Sequence, residues 1–449
     1  MEKKEVVVDK SKKTDKKDKQ MELSDEDKEY KFNLDTMING LFDSEIEIRK
    51  NAFNMIKNEI LTSTSSMTSI PRPLKFFRLH YDKLKEFYNS LIDLEYKNLI
   101  GQLLSVLVLV CPNTQDTALQ YVLDCQIHNI TEWGQEYNRS LAGEIGQEYL
   151  NRLEEETPCD NLIGLVNIIV PYFIEVHNEN EAIDLLIEMD KLDDINNYTT
   201  SNNYKRIALY LITYSNYAAD SEELKKNLEI AYQIYSKYNE HANALRVAIK
   251  LSNMMFIKST FLSCSDRLTQ IQMAFILARQ KIWLESENID TELTSIIANL
   301  KTSEYYKKLG RSLDLTEPKH PEEVFKSHLE EKKSDGKIDS YKNNMAYSIA
   351  SSFINAGFGT ESLLSKKGDD WMARNKDEGL LCLIAGLGLV NIWDIDCGPN
   401  EMEKYMKTNE VDHFKRGGYN IGLGIISSGV KDENYTAMAL LTDQLVDQK

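Results

Sequence analysis

The side chains of this sequence that could bind a metal ion or act as nucleophiles are scattered along the chain. The cysteines are Cys111, Cys125, Cys159, Cys264, Cys382 and Cys397. They form no C-x-x-C pair, the spacing that brings two thiolates to one metal ion or redox centre. The seven histidines share no helix turn at metal-ligand spacing either. We therefore expect reduced thiols, no metal site and no bound cofactor.

The motifs of common catalytic sites are also absent from the sequence. It contains no G-x-x-x-x-G-K-[ST] phosphate loop, no H-E-x-x-H zinc motif and no G-x-S-x-G nucleophile elbow. We expect no catalytic residue and no enzymatic activity. A site assembled from distant side chains is an open alternative, since such a site leaves no local motif.

Two glycine pairs stand out because they repeat. Gly386-Leu-Gly388-Leu recurs 36 positions later as Gly422-Leu-Gly424-Ile. The alternative, a phosphate-binding loop, lacks the third glycine of a dinucleotide motif and a preceding strand. Glycine inside a helix costs about 1 kcal/mol relative to alanine. The pairs therefore predict a helical repeat in which backbones pack very closely.

The remaining sequence predicts helices to position these residues. Apolar residues recur at i, i+3, i+4 and i+7, most clearly between about 160 and 285, as in Ala182, Leu185, Leu186 and Met189. Links such as 193–197 are short and polar, and the chain has only 20 Gly and 8 Pro. We predict an all-α fold: an α-solenoid of antiparallel helix pairs that leads into the repeats.

Composition divides the chain into segments. We predict a disordered charged tail at 1–30, a helical rod domain at 31–314, a connector at 315–346 and the start of the repeats at 347–449. The connector contains Pro318 and Pro321, and we expect in it a short helix at Glu322–Glu331 and then a flexible polar loop through Asn344. Among the repeats we expect polar helices near Met402–Met406 and at Thr436–Val446.

The charge balance limits the partners. The chain carries 53 Lys and Arg against 71 Asp and Glu, a formal net charge of −18. Such a surplus repels phosphates, so we expect no nucleic-acid partner. The longest apolar run, Leu103–Cys111, is too short to span a membrane, and no signal peptide is apparent. We therefore expect the cytoplasm and the nucleus as compartments.

Several segments in one order resemble a single family, the proteasome non-ATPase regulatory subunit 2 family. A linear signature, from Leu313-Asp314 through Pro318-Lys319 and Pro321 to Phe325–Glu330, is the most specific of them. The others are 181–192, 244–248, 272–278, 350–359, Trp371, 375–376 and Trp393–Asp396. The resemblance covers residues from about 30 to 449.

The resemblance implies a helical rod that leads into a ring of proteasome/cyclosome repeats, with Trp393 and the four paired glycines as structural repeat positions. It also implies a non-catalytic scaffold in the base of the 26S regulatory particle. Its partners would be the proteasomal ATPases, ubiquitin, and proteins with ubiquitin-like domains. Family members are about twice as long, so we expect the main docking repeats to be absent and assign no ubiquitin contact. The alternative is a general helical-repeat adaptor unconnected to the proteasome, in which the signature would have no role.

Overall fold

The structure is a computed structural model that describes residues 25–63, 71–111, 114–125, 129–315, 317–324, 340–361, 363–364, 371–405 and 412–446. The regular secondary structure in these ranges is entirely helical, with no β-strand, which confirms the predicted all-α solenoid class. None of the described helices is both long enough and apolar enough to cross a lipid bilayer. Contacts divide the chain into two compact units, Met1–Leu211 and Ile212–Lys449, called unit 1 and unit 2.

Unit 1 is built from successive helices that pack against their neighbours in sequence. The helix at Leu94–Val108 shows the cause, because Ile100, Leu103, Leu104 and Leu107 are buried at helical spacing. Links of a few residues return the chain, so neighbouring helices run antiparallel. The helices are α1 (Asp25–Gly40), α2 (Ile46–Thr62), α3 (Arg72–Phe77), α4 (Tyr81–Ser90), α5 (Leu94–Val108), α6 (Ala118–Asp124), α7 (Gln135–Glu154), α8 (Asp160–Glu175), α9 (Glu179–Glu188), α10 (Ile195–Tyr198) and α11 (Tyr204–Tyr214), the last of which crosses the boundary between the units.

Unit 2 continues the helix pairs and contains two apolar cores. One core, around Phe261 and Met273, is shared by four consecutive helices between His241 and Ile297. The other, around Ile384 and Leu423, is shared by helices nearer the C-terminus. The helices are α12 (Ser221–Lys237), α13 (His241–Lys250), α14 (Met254–Ser263), α15 (Arg267–Gln280), α16 (Thr291–Ile297), α17 (Thr302–Ser312), α18 (Pro321–Val324), α19 (Ser340–Ile354), α20 (Glu378–Val390), α21 (Gly398–Glu403), α22 (His413–Ile426) and α23 (Thr436–Val446). The helix predicted at Thr436–Val446 is confirmed.

Eight of the described helices end in one backbone motif with a left-handed residue that is not glycine. After α12, for example, Asn239 has φ +58°, and the next N–H, of Glu240, donates to the Tyr235 carbonyl at 2.9 Å. This is the Schellman motif, which satisfies carbonyls that the last helix turn leaves free. The left-handed residues are Glu156, His177, Asp190, Asn239, Ser252, Lys281, Asn299 and Asp314. The motif reverses the chain within a few residues.

The segment 193–197, which we predicted to be a polar link, is helical in the structure. Leu192–Asp194 forms a 3-10 turn, and Ile195–Tyr198 forms α10. Both Leu192 and Ile195 are buried, so apolar burial orders a segment whose neighbouring residues are polar.

The predicted connector is more helical than expected where the structure describes it. Helix α19 begins at Ser340, inside the polar run that we expected to be a loop through Asn344. Tertiary contacts of the first turns explain the difference, since the Tyr341 hydroxyl accepts from the Gly379 N–H at 2.9 Å and the Asn344 amide donates to the Arg374 carbonyl at 3.3 Å. The helix predicted at Glu322–Glu331 begins at Pro321 and is described to Val324; residues 325–339 lie outside the described ranges.

Two other boundaries differ from the expectations. Helix α1 begins at Asp25, inside the predicted tail, most of which lies outside the described residues. The helix expected near Met402–Met406 runs from Gly398 to Glu403, and Met406 is not described. The boundary between the compact units lies within the predicted rod domain, and the segment boundaries at 314 and 346 stay predictions.

Candidate functional site

The glycine pairs come together where α20 faces α22. A Cβ atom at Gly388 would lie 2.4 Å from the Cα atom and 2.5 Å from the carbonyl oxygen of Gly422. Any side chain at Gly388 would therefore overlap the backbone of the neighbouring helix. The predicted close packing of backbones is present at this contact, and these two glycines set the distance between the helices.

The same contact occurs one period earlier, between α20 and α19. A Cβ atom at Gly386 would lie 2.0 Å from Oγ and 2.9 Å from Cβ of Ser352. Gly386 and Ser352 precede Gly422 and Gly388 by 36 residues each. Helix α19 is thus an additional repeat helix, which our sequence analysis missed because it has no glycine pair.

Gly424 differs from the other three glycines. A Cβ atom there would meet no heavy atom within 4 Å among the described residues. Its position in α22 corresponds to Ser352 in α19 and Gly388 in α20, each of which contacts a glycine of the following repeat helix. No described residue closes on Gly424, so the close packing expected at this position stays a prediction.

The three repeat helices also end alike. The Asn355 amide donates to the Ser351 carbonyl at 3.0 Å, and the Asn391 amide donates to the Leu387 carbonyl at 2.9 Å. The Ser427 hydroxyl donates to the Leu423 carbonyl at 2.9 Å, again 36 residues further on. The equal spacing of Asn355 and Asn391 is the sequence signal that could have revealed α19 as a repeat helix.

Asn355 also explains part of the linear signature. Its side-chain oxygen accepts a hydrogen bond from the Lys319 N–H at 2.8 Å, and its amide nitrogen donates to the Lys319 carbonyl at 2.9 Å. One side chain thus satisfies both backbone groups of Lys319. The Pro318-Lys319 segment is therefore fixed to the C-terminal end of α19.

A left-handed residue follows each repeat helix at the same period. Gly357, Trp393 and Gly429 have φ values of +78°, +68° and +78°. The Gly357 N–H donates to the Leu389 carbonyl at 3.1 Å, and the Trp393 N–H donates to the Ile426 carbonyl at 3.0 Å. The turn after one repeat helix therefore caps the C-terminal end of the next.

Trp393 has a second set of contacts through its ring. The indole meets the Tyr306 ring edge to face at 5.7 Å between centroids. Beside it, the Lys307 ammonium and the Asp394 carboxylate form an ion pair at 2.8 Å. Trp393 therefore lies where helix α17 meets the repeat helices of unit 2, and its role as a repeat position stays a prediction.

A further link joins α16 to the end of α22. The Asn299 amide donates to the Ala278 carbonyl at 3.0 Å and to the Gly429 carbonyl at 2.9 Å. The Lys431 N–H donates to the Ala298 carbonyl at 2.9 Å, and the Lys431 ammonium pairs with Glu285. These bonds connect helix pairs to repeats within unit 2.

The residues that could carry chemistry are not grouped. All six cysteines are free thiols, and no cluster of His, Cys, Asp or Glu in the described ranges is arranged to hold a metal ion. Cys125 is buried, its sulfur lies 3.2 Å from the Tyr88 hydroxyl, and burial raises its pKa. A thiol of this kind is a poor nucleophile.

Among the described residues of unit 1, Glu179 at the start of α9 is a buried carboxylate with an ion-pair partner. Arg206 of α11 donates to it through Nε at 3.1 Å and also through a terminal nitrogen. Burial raises the pKa of Glu179, but the hydrogen bonds and charge of Arg206 outweigh this and hold the pKa below its usual value. The pair joins two helices and has the character of a structural interaction.

Comparison with known proteins gives results that agree with this architecture. The family described as the RPN1 N-terminal domain matches residues 34–330. The 26S proteasome regulatory subunit rpn-1 of Neurospora crassa is 36% identical over 434 residues, which are 94% of this chain and 48% of the relative.

Two further relatives come from other kingdoms of eukaryotes. The 26S proteasome non-ATPase regulatory subunit 2 of Dictyostelium discoideum is 37% identical over 94% of this chain and 47% of its own length. Homolog A of the same subunit in Arabidopsis thaliana is 36% identical over 91% and 48%. The chain spans about half of the length of these relatives. Most of unit 1 and the first part of unit 2 lie within the matched domain, and the chain therefore belongs to the RPN1 N-terminal domain family of 26S proteasome regulatory subunits.

Proposed function

We propose that this chain is a non-catalytic scaffold subunit in the base of the 26S proteasome regulatory particle. In this proposal it contacts the ATPase ring and supports the docking of ubiquitin and of ubiquitin-like domains during protein degradation. It acts in the cytoplasm and the nucleus, without nucleic acid or membrane as a partner.

The observation that carries the proposal is the extent of the similarity. It runs through more than nine-tenths of the chain, and the relatives are named as regulatory subunits of the proteasome. The architecture supports a scaffold because stacked helices offer long side faces to partners. The relatives' names describe regulation and include no enzymatic activity of their own.

Affinity purification tests the proposal. The tagged chain, expressed at its native level, is purified from its own cells in mild buffer, and the co-purifying proteins are identified by mass spectrometry. We expect the proteasomal ATPases among them in stoichiometric amounts. Added ubiquitin-like domain should be retained on these complexes above the level seen with beads that carry the tag alone.

A pair of variants makes the test specific for the folded chain. Gly388→Ala disrupts the contact between α20 and α22, whereas Gly424→Ala adds the same methyl group where there is open space. Capture of the ATPases should survive Gly424→Ala and fall with Gly388→Ala. If the unaltered chain captured other proteins and no proteasomal ATPase, the proposal would be wrong and the general adaptor would replace it.

A further inference from the structure

An open groove of about 390 Å³ runs along α17 in unit 2. Its walls are mostly apolar and include Leu309, Leu313 and Leu315 on one side and Phe358 on the other. The three leucines are 56%, 59% and 49% exposed. Leu309 of α17 and the two leucines that follow the end of the helix thus form an apolar surface exposed to solvent, and a contiguous surface of this kind is typical of an interaction site.

The groove is preformed, because rigid contacts fix its base. The Tyr306 ring packs edge to face on Trp393 and, at 6.4 Å, on Phe358. A Cβ atom at Gly357 would lie 2.7 Å from this ring, so only glycine permits the close approach. The Leu315 N–H donates to the Gly310 carbonyl at 2.8 Å and fixes the end of α17. A ligand would meet a surface that needs little rearrangement.

The charges of the groove differ from those of the chain as a whole. Lys307 and Arg311 line it, and none of the described lining residues is a carboxylate. Asp394 neutralises Lys307 at 2.8 Å. Arg311 is exposed and forms no ion pair with any residue that the structure describes. In a chain with a net charge of −18, an unpaired cation beside an apolar groove favours a partner that supplies a carboxylate.

The backbone around the groove indicates the partner's secondary structure. The N–H groups of Gly357, Phe358 and Gly359 donate to the carbonyls of Leu389, Asn355 and Val390. These three N–H groups are therefore not available to an extended peptide that would pair here as an added strand. A partner that satisfies its own backbone groups, namely a helix, fits this surface.

We propose that the α17 groove binds an amphipathic helix of a partner protein, with apolar residues at i, i+4 and i+7 and an Asp or Glu that reaches Arg311. The helical part of this surface, from Tyr306 to the end of α17 at Ser312, spans about 9 Å, or nearly two helix turns. This inference goes beyond the proposed function, because it depends on the groove itself and holds for whichever complex the chain joins.

Two designed peptides test the proposal. Both are 16-residue helices with the same leucines at i, i+4 and i+7; one carries Glu beside the leucines and the other carries Lys. Binding to the full chain is measured by fluorescence anisotropy. We expect the Glu peptide to bind at least about tenfold more tightly than the Lys peptide. Leu309→Ser and Leu313→Ser should each weaken it by about tenfold or more.

Charge reversal makes the test more specific. Arg311→Glu should invert the preference between the two peptides. The control Lys225→Glu makes the same change of sign on an exposed position of α12 and should leave the preference intact. Ile92→Ser, at a residue that is 99% exposed in unit 1, is the matched apolar control.

Three results would overturn the proposal: equal affinity for both peptides, binding that is insensitive to the two leucine variants, or no binding. Analytical ultracentrifugation of the unaltered chain tests the other possible occupant of the groove, a second copy of this chain. A dimer that Leu313→Ser dissociates would show that the groove is an interface between two copies. Circular dichroism is used to verify that each variant is folded.

Discussion

At the scale of single residues, Gly388 and Gly424 occupy equivalent repeat positions with opposite surroundings. The first touches the backbone of Gly422, and the second has no described atom within 4 Å of where its Cβ would lie. We expect Gly388→Ala to destabilise unit 2 by about 1–3 kcal/mol, because the backbones must separate. Gly424→Ala should stabilise it by up to about 1 kcal/mol through helix propensity. Urea unfolding measures both values, and equal effects of the two variants would contradict this account.

A second residue-scale prediction concerns Arg206. Without its cation, Glu179 is left as a buried carboxylate without its ion-pair partner, and burial then raises its pKa. We expect Arg206→Ala to destabilise unit 1 by about 2–3 kcal/mol at pH 7, below the range for a fully buried pair because Arg206 is half exposed. The conservative control, Arg206→Lys, should lose less.

The destabilisation caused by Arg206→Ala should depend on pH, because it acts through the charge of Glu179. In the unaltered chain the pKa of Glu179 is lowered, so its contribution is present above the unfolded pKa of about 4.3 and is lost as the pH falls through the folded value. In Arg206→Ala the order of the two pKa values is reversed. The deficit of the variant should therefore shrink as the pH is lowered toward 4. A deficit that is constant from pH 7 to pH 4 would indicate lost packing alone.

At the scale of the element, the left-handed residue that is not glycine at the end of eight helices costs conformational energy each time. A residue other than glycine in the left-handed conformation costs about 1–2 kcal/mol. Ser252 is such a residue, with φ +53°, and it lies between the last turn of α13 and Asn253, which caps α14. We expect Ser252→Gly to stabilise unit 2 by about 1 kcal/mol.

The control for Ser252→Gly is a glycine introduced where the backbone has the normal helical conformation. Glu229 is exposed in the interior of α12, where glycine should destabilise by about 1 kcal/mol. Thermal unfolding should therefore move in opposite directions for Ser252→Gly and Glu229→Gly. If both lowered the melting temperature, the left-handed conformation would not be the source of strain at Ser252.

The sequence predicted the elements whose apolar period is long, such as α9 and α12, because helical spacing and burial have the same cause. Helix ends and short segments were less predictable: the burial of Ile195 and the start of α19 depend on tertiary contacts that a local pattern does not contain. The repeat was recognised from its glycines, and α19 was missed because Ser352 replaces glycine there.

At the scale of the whole molecule, the contacts form two compact units that divide within α11. We expect calorimetry to resolve two unfolding transitions. Arg206→Ala should lower the transition of unit 1, and Gly388→Ala should lower the transition of unit 2, each leaving the other within about a degree. A single transition that both variants shift would show that the chain unfolds as one cooperative body.

The hydrogen bond from Asn299 to Gly429 has a consequence for the rate of unfolding. Its two partners are 130 residues apart in the sequence, whereas equivalent positions in neighbouring repeat helices are only 36 residues apart. The entropic cost of closing a loop rises with its length, so this bond should form after the repeat helices have stacked. Interactions that are absent from the folding transition state act mainly on the unfolding rate. Asn299 therefore contributes to the kinetic stability of unit 2, lengthening the lifetime of the native state while leaving the folding rate almost unchanged.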